Sequence, residues 1–361
     1  GSERDVQPAP VFAPDDYDYE LPLEQIAQQP PAERRAARML VLLEGLVHAG
    51  IADLPSQLAA LERRPLVVLN DSKVVPARVH ARRDEGRTFE LLICDPAPLE
   101  PGAIVRAWVR GAKKLHLDDR LCFGQVELAY RGRDEVDTRA CQFELLRGDL
   151  LEALDAGGEL PLPPYVARPS GPTASDRERY QTVFARDRGS VAAPTAGLHI
   201  DAALLASLDH AFVTLHVGPG TFLPMDVEDV REHRVGPERF AISEASASAI
   251  AAARAEGRPI LAVGTTVTRT LESVAAAHGG TIVPGVGSTE LVIGPEHRFA
   301  CVDMLLTNFH LPRSSLLMLV SSLAGRERVL AGYREAVRAG YRFYSFGDCM
   351  LVDRRDPPRS S

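Results

Sequence analysis

Between Val74 and Leu146 the chain changes the period of its apolar residues, and that change limits the folds open to it. ARVHARR, TFELLICD, AIVRAWVRG, QVELAYRG and CQFELL alternate apolar and polar side chains, and DEG, EPG, LDD and RGRDE separate them. Period two marks strands with one buried face, and short strands at even spacing predict a small antiparallel barrel or sandwich. Outside this region helix and strand alternate. Upstream, RMLVLLEG and PLVVLND read as strands flanking a helix near LPSQLAAL. Downstream, FVTLHV, PILAVG, CVDMLL and YRFYSF read as strands. SEASASAIAAARAEG, VTRTLESVAAAHGG, SSLLMLVSSLAG and ERVLAGYREAVRAG read as helices, the first with Ser243 as N-cap and Gly257 as stop. The expected fold class is α/β, with one discontinuous α/β domain (3–73 and 148–361) and an inserted β domain (74–147). The polar connection ARPSGPTASDRER, 167–179, is expected to be mobile.

A chain of 361 residues suffices for two domains. No apolar run approaches the roughly 18 residues of a membrane helix, and no charged-then-apolar signal segment opens the chain. The opening Gly-Ser reads as a cloning remnant. Five cysteines without a C-x-x-C pair suit neither a disulfide framework nor a zinc site, so a reducing, cytoplasmic setting is expected. The sequon at Asn70 is then a chance match. Net charge −8 does not suggest a nucleic-acid binder. Locally the sign reverses: Arg63, Arg64, Lys73, Arg78, Arg82 and Arg83 stand against Glu62 and Asp71, 6 − 2 = +4. Arg106, Arg110, Lys113 and Lys114 also cluster. On charge alone such a stretch is a solvated face.

Small polar residues recur where strands end. APTAGLH holds Thr195, Gly197 and His199; LHVGPGTF holds His216, Gly218, Gly220 and Thr221; VGTTVTR holds Thr265, Thr266 and Arg269. LLTNFHLPR holds Asn308, Phe309, His310 and Arg313, and FGDCM holds Asp348. In open α/β sheets ligands bind outside the carboxyl ends of the strands. A helix starting after Thr265-Thr266 would also offer free N–H groups to an anion. Each motif alone marks a turn as readily as a site. No nucleotide-binding glycine fingerprint, nucleophile elbow or metal-ligand spacing stands in its expected context, so no metal is expected.

Taken together, YELPLEQIAQ, VLNDSKVVPARV, LPLPPYVAR, RYQTVFA, GSVAAPTAGLH, LHVGPGTF, AVGTTVTRTLES, LLTNFHLPRSSLLMLV and YRFYSFGDCML span nearly the whole chain in this order. The set resembles the S-adenosylmethionine:tRNA ribosyltransferase-isomerase family of queuosine biosynthesis. The resemblance implies a barrel-like α/β domain carrying an inserted small antiparallel β-barrel. It implies transfer and isomerisation of the ribosyl part of S-adenosylmethionine onto a 7-aminomethyl-7-deazaguanine at the tRNA wobble position. Epoxyqueuosine-tRNA forms, and adenine and methionine leave. Two stretches depart from the family: HRVGPERF puts Gly236 where a second histidine usually follows His233, and ELVIGPEHR replaces a more aromatic run.

Under that resemblance the donor is a sulfonium whose charge acidifies the neighbouring C5′ protons. Imidazole suits the proton steps, because its ordinary pKa lies near 6.5. The implied catalytic residues are His199, His216, His310 and Asp348, with the roles among the histidines open. Arg269 or Arg313 would hold the methionine carboxylate. Tyr180, Gln181, Thr182, Thr195, Thr221, Thr265, Thr266 and Asn308 would meet ribose, adenine or acceptor, and Gly197, Gly218 and Gly220 would let the backbone approach closely. Phe309 packs in the core or stacks on a base. A monomer acting on tRNA is expected, with phosphates along Arg63, Arg64, Lys73, Arg78, Arg82 and Arg83. The alternatives are a relative acting on another 7-deazapurine and a non-catalytic tRNA- or S-adenosylmethionine-binding module.

Overall fold

RMLVL and LVVLN carry apolar side chains at successive positions, and both become strands covered on two faces. The computed structural model describes residues 11–84 and 86–355; residues 3–10, assigned above to the α/β domain, and the opening Gly-Ser lie outside the described residues. In chain order the first elements are β1 (Arg38–Leu42), β2 (Leu46–Gly50), α1 (Leu54–Ala59), β3 (Leu66–Asn70) and β4 (Ser72–Val74). Six strands follow: β5 (Arg78–Arg83), β6 (Thr88–Ile93), β7 (Ile104–Val109), β8 (Arg120–Phe123), β9 (Val126–Arg133) and β10 (Ala140–Arg147). Then come α2 (Leu150–Gly157), α3 (Ala174–Arg179), β11 (Asp187–Ser190), α4 (Ala202–Ala206), β12 (His210–Leu215), β13 (Glu238–Ile242) and α5 (Glu244–Ala255). The chain continues with β14 (Ile260–Val263), α6 (Thr265–Ala277), β15 (Gly285–Thr289), β16 (Met304–Asn308), α7 (Ser315–Ala324), α8 (Arg326–Arg338) and β17 (Cys349–Asp353).

Nine strands make one mixed sheet in the order β15-β13-β12-β3-β14-β16-β17-β1-β2. It is open, with β15 and β2 at its edges, and not closed as the barrel-like expectation has it. Its centre, β12-β3-β14-β16, is parallel. Successive side chains therefore enter two different cores. Leu66, Val68, Ile260, Ala262 and Leu305 pack on one face, and Val67, Leu69, Leu261, Val263 and Leu306 on the other. Each fully buried aliphatic side chain contributes about 1.5–3 kcal/mol of transfer free energy, which fixes the sheet's register.

The six strands β5 to β10 close a separate barrel in the order β10-β7-β6-β5-β8-β9. Its core, with Val79, Leu91, Ala107, Leu128 and Phe143, is distinct from both sheet cores. Two local expectations change. YRFYSF is not a strand: Phe343 makes a single bridge to Ile26, and Tyr344 takes a φ of 77°. Tyr341 and Phe343 are fully buried beside Phe309, so the segment turns to fill the core and the strand falls one step later, in β17. The 167–179 connection is anchored. Thr173 caps α3, and Asp176, 2% exposed, is paired with Arg168 at 2.8 Å.

Candidate active site

Because β12, β3, β14 and β16 run the same way, their carboxyl ends share one edge of the sheet. Asn70, closing β3, donates to the Leu215 carbonyl at 3.0 Å and to the Thr266 hydroxyl at 3.2 Å, which ties three of those strand ends together. Gly264 turns β14 into α6 with φ +97°, a conformation side chains resist. The first turn of α6 thus opens at the strand ends.

Two cavities adjoin there and share Thr221 and Leu316 in their walls. The first is lined by Tyr180, Thr195, Thr265, Thr266, Thr307, Asn308, Phe309, His310, Tyr344 and Ser345 among others. Among the described residues no Asp, Glu, Lys or Arg lines it. His310 is 9% exposed, and its Nε2 lies 2.7 Å from the Thr307 hydroxyl. That hydroxyl has a second possible acceptor, the Asn308 carbonyl at 3.2 Å, so its single proton decides which nitrogen of His310 carries hydrogen. Burial lowers the His310 pKa to about 3, so the imidazole is neutral near pH 7. The Tyr344 hydroxyl is buried and has no hydrogen-bond partner among the described residues.

The second cavity is charged. Gly218, Gly220, Glu238 and Arg269 from the α/β part meet Arg106, Trp108 and Asp137 from the barrel part. Arg269 and Glu238 form an ion pair with side chains only 7% and 9% exposed. Glu238 also accepts from the Gly218 N–H at 2.7 Å, and Arg269 Nε donates to the Leu291 carbonyl at 3.0 Å. Arg269 Nη2 is buried and has no partner among the described residues. A guanidinium nitrogen in that state is a vacant donor for an anionic or carbonyl oxygen.

Comparison with known proteins adds the chemistry. The model of a family described as "Queuosine biosynthesis protein" matches residues 14–352. The chain belongs to the queuosine biosynthesis family. It is 46% identical to an S-adenosylmethionine:tRNA ribosyltransferase-isomerase of Anaeromyxobacter sp. (strain Fw109-5), over 94% of this chain and 99% of that one. A protein of the same name from Moorella thermoacetica (strain ATCC 39073 / JCM 9320) is also 46% identical, with the same shares covered. The crystal structure of an S-adenosylmethionine tRNA ribosyltransferase from Thermotoga maritima is 32% identical, covers 93% of this chain and 99% of its own, and has a TM-score of 0.51.

In this queuosine biosynthesis chain the expected site residues divide. Tyr180, Thr195, Thr221, Thr265, Thr266, Asn308, Phe309 and His310 line the neutral cavity, and Gly218, Gly220 and Arg269 the charged one. Phe309 is nonetheless a core residue, fully buried against Tyr333, Tyr341 and Phe343. The others stand back. His199 lines neither cavity; its Nε2 meets Asn308 Oδ1 at 2.7 Å. Asn308 Nδ2 donates to the Tyr344 and Ser345 carbonyls, so its oxygen faces His199 and His199 Nε2 carries the hydrogen. Burial lowers the His199 pKa, so this contact is made by a neutral ring that positions Asn308.

Asp348, expected to be catalytic, instead accepts the Arg38 and Arg342 N–H groups, both at 2.8 Å, and latches the start of β17 to β1. His216 lies against the Gly189 backbone, where an added Cβ would come within 2.6 Å of Nδ1, and lines neither cavity. Gln181 clasps the Val74 backbone through both amide atoms. Thr182 and Gly197 pack on each other, since a Cβ on Gly197 would meet Thr182 at 3.0 Å. Gly197 therefore serves packing and not ligand approach. Arg313 pairs with Asp15 on the surface, 52% exposed, and not with a buried ligand.

The basic stretch divides as well. Arg63 and Arg64 precede β3 and donate to the Glu256 and Ser207 carbonyls, at the amino end of the sheet away from the cavities. Lys73 follows β3, and Arg78, Arg82 and Arg83 lie on β5. Arg78 pairs with Glu90, and Arg83 with Asp119; Arg82 is exposed. Six residues close in sequence thus do not share one face, because β3 carries the chain across the sheet between them.

Sequence reading missed Glu238, Gly264, Tyr344, Ser345 and the barrel residues Arg106, Trp108 and Asp137. For the barrel residues a signal existed. In IVRAWV the buried positions are Val105 and Ala107, so period two leaves Arg106 and Trp108 on the half-buried positions between them.

Proposed function

We propose that the strand-end cleft binds S-adenosylmethionine in two parts and that the chain acts through it on tRNA. The chain is an S-adenosylmethionine:tRNA ribosyltransferase-isomerase, an enzyme of queuosine biosynthesis. The ribosyl group passes to a 7-aminomethyl-7-deazaguanine at the wobble position, and adenine and methionine leave. Residues 74–147 act as an inserted domain on the α/β domain formed by the rest.

One observation carries the two-part reading: a cavity without formal charge adjoins one holding a buried guanidinium with a vacant donor. Adenosine is neutral and rich in hydroxyls, and it suits Thr265, Thr266, Asn308 and the first turn of α6. The methionine end carries a carboxylate, and it suits Arg269 Nη2. The sulfonium then falls between, near Thr221 and Leu316.

His310 is the base. In its neutral form it takes a C5′ proton that the sulfonium has acidified. The resulting imidazolium is costly in this buried site, since burial disfavours the charged ring. Passing the same proton to departing adenine removes that charge. One residue thus serves as base and then as acid. His199 fixes the amide of Asn308 beside the reacting ribose.

Decarboxylated S-adenosylmethionine tests the division without altering the protein. A charge-assisted hydrogen bond is worth about 1.5–3 kcal/mol, so the analogue should bind about 10- to 150-fold more weakly by calorimetry. 5′-Methylthioadenosine should bind no more weakly than the decarboxylated analogue. Equal affinity of S-adenosylmethionine and its decarboxylated form would remove Arg269 from the methionine subsite.

A further inference from the structure

The barrel presents a wall to the cleft that donor binding leaves unused. Its centre is Trp108, the chain's one tryptophan. On β7 Val105 and Ala107 are buried in the barrel core, Arg106 and Trp108 alternate with them as half-buried residues, and Trp108 packs part of its ring against that core. Both line the charged cavity with Gly218, Gly220 and Arg269. Trp108 is half-buried, so part of the ring remains open to a ligand.

Both half-buried side chains are held. Trp108 Nε1 donates to Asp137 Oδ2 at 3.1 Å, and Asp137 Oδ1 accepts from the Arg139 N–H at 3.1 Å. Arg106 Nε donates to Asp134 Oδ2 at 3.1 Å, and Asp134 Oδ1 takes the N–H groups of Val136 and Asp137 at 3.0 and 2.9 Å. The loop between β9 and β10 is thus ordered around these two carboxylates. Opposite, Gly236 leaves room for Arg106: a Cβ there would stand 3.3 Å from Arg106 Nη2. The indole thus packs one part against the barrel core and turns another part to the cleft, held by Asp137.

We propose that Trp108 is the stacking platform for the acceptor nucleobase, with Asp137 holding the ring and Arg106 beside it meeting the base edge or its phosphate. This rests on the strand-end cleft being the reaction site. A wobble base can react only when splayed from the anticodon loop, and splayed bases are held by stacking on aromatic faces. A 7-deazaguanine keeps the π-face of guanine but lacks the N7 acceptor that arginine usually reads together with O6. Stacking therefore carries more of its recognition than it does for guanine. The platform also explains why the barrel must meet the α/β part at this cleft: one part holds the donor and the other presents the acceptor.

The single tryptophan makes the test direct, because all indole emission reports on Trp108. The native enzyme is titrated with an anticodon stem-loop bearing 7-aminomethyl-7-deazaguanine at the wobble position and, separately, with the same stem-loop abasic there. Emission should be quenched by the first and little changed by the second. Trp108→Leu should lower kcat/KM for the stem-loop by about 5- to 150-fold, the range of one base–aromatic stack. Trp108→Phe should recover most of that loss, and the KM for S-adenosylmethionine should stay within about twofold in both variants, since stacking is a sequence-tolerant property of the ring face. Equal quenching by the two stem-loops, or wild-type kcat/KM in a folded Trp108→Leu, overturns the platform. If Trp108→Leu does not fold, the native titration alone decides. Failure of the reaction reading is distinguishable, because the wild-type enzyme would then release no adenine with either stem-loop.

Discussion

Glu238→Ala should destabilise the protein severely, and the reason lies in its partner. Among the described residues Glu238 is the carboxylate paired with Arg269, and both side chains are more than nine-tenths buried. Removing it leaves a guanidinium in a low-dielectric site with, among the described residues, the Leu291 carbonyl as its remaining partner, and strips the Gly218 N–H of its acceptor. Breaking a buried pair from one side costs about 3–5 kcal/mol, chiefly through the charge left behind. Equilibrium urea unfolding followed by circular dichroism reads that loss as a lower midpoint at unchanged slope. Replacing both residues, Glu238→Met with Arg269→Met, separates stability from function. Exchange of a buried pair for apolar groups of similar volume is often neutral or stabilising by about 1–4 kcal/mol. The double variant should therefore unfold near the wild-type midpoint yet bind S-adenosylmethionine as weakly as wild type binds the decarboxylated analogue. A loss below about 1 kcal/mol in Glu238→Ala would put the pair in the range of exposed salt bridges and refute the buried-charge argument.

Further outcomes follow from the same geometry. His310→Gln keeps a polar atom near Thr307 but cannot act as base, so turnover should fall by about 10²- to 10⁴-fold while the melting temperature moves little; near-normal turnover would dismiss His310 as base. Burial depresses the pKa of His310 to about 3 and of His216 to about 4, so below about 6.5 the unfolded chain binds more protons than the folded one. Stability should then fall as pH drops from about 6.5, by at most about 1.4 kcal/mol per pH unit for each histidine, and His310→Gln should flatten that limb in denaturation curves at several pH values. Arg82→Ala should weaken tRNA binding and reduce its salt slope by about one contact, whereas Arg63→Ala with Arg64→Ala should change neither; the reverse ranking would place the tRNA across the other end of the sheet.

Much of the α/β part was legible because its signals are local. Ser243 caps α5 by accepting from Ser246, and Gly257 stops the helix with φ +72°, as their residue types suggest. LLTNFHLPR was legible as strand followed by cavity wall, because an apolar run ending in Thr, Asn and His has no helical or strand reason to continue. YRFYSF misled because alternating aromatics fit a strand pattern equally well when a turn buries them in the core. The positions of His199 and Asp348 were hidden for another reason. His199 meets Asn308 109 residues away, and Asp348 joins a neighbour six residues back to Arg38 310 residues away, so the sequence near each does not separate a ligand contact from a latch. The barrel wall was hidden because a period-two pattern tells which side chains leave the barrel core, and not what those side chains face.

A strand-end cleft of this make-up should break the bond between adenine and ribose when tRNA is present. The direct measurement incubates the native protein with S-adenosylmethionine and precursor tRNA carrying 7-aminomethyl-7-deazaguanine, and follows free adenine and methionine by chromatography. One adenine and one methionine should be released per modified tRNA, none without tRNA, and none with tRNA bearing guanine at the wobble position. Binding of S-adenosylmethionine with no adenine release under those conditions would contradict this, and the cleft would then be a binding site without chemistry.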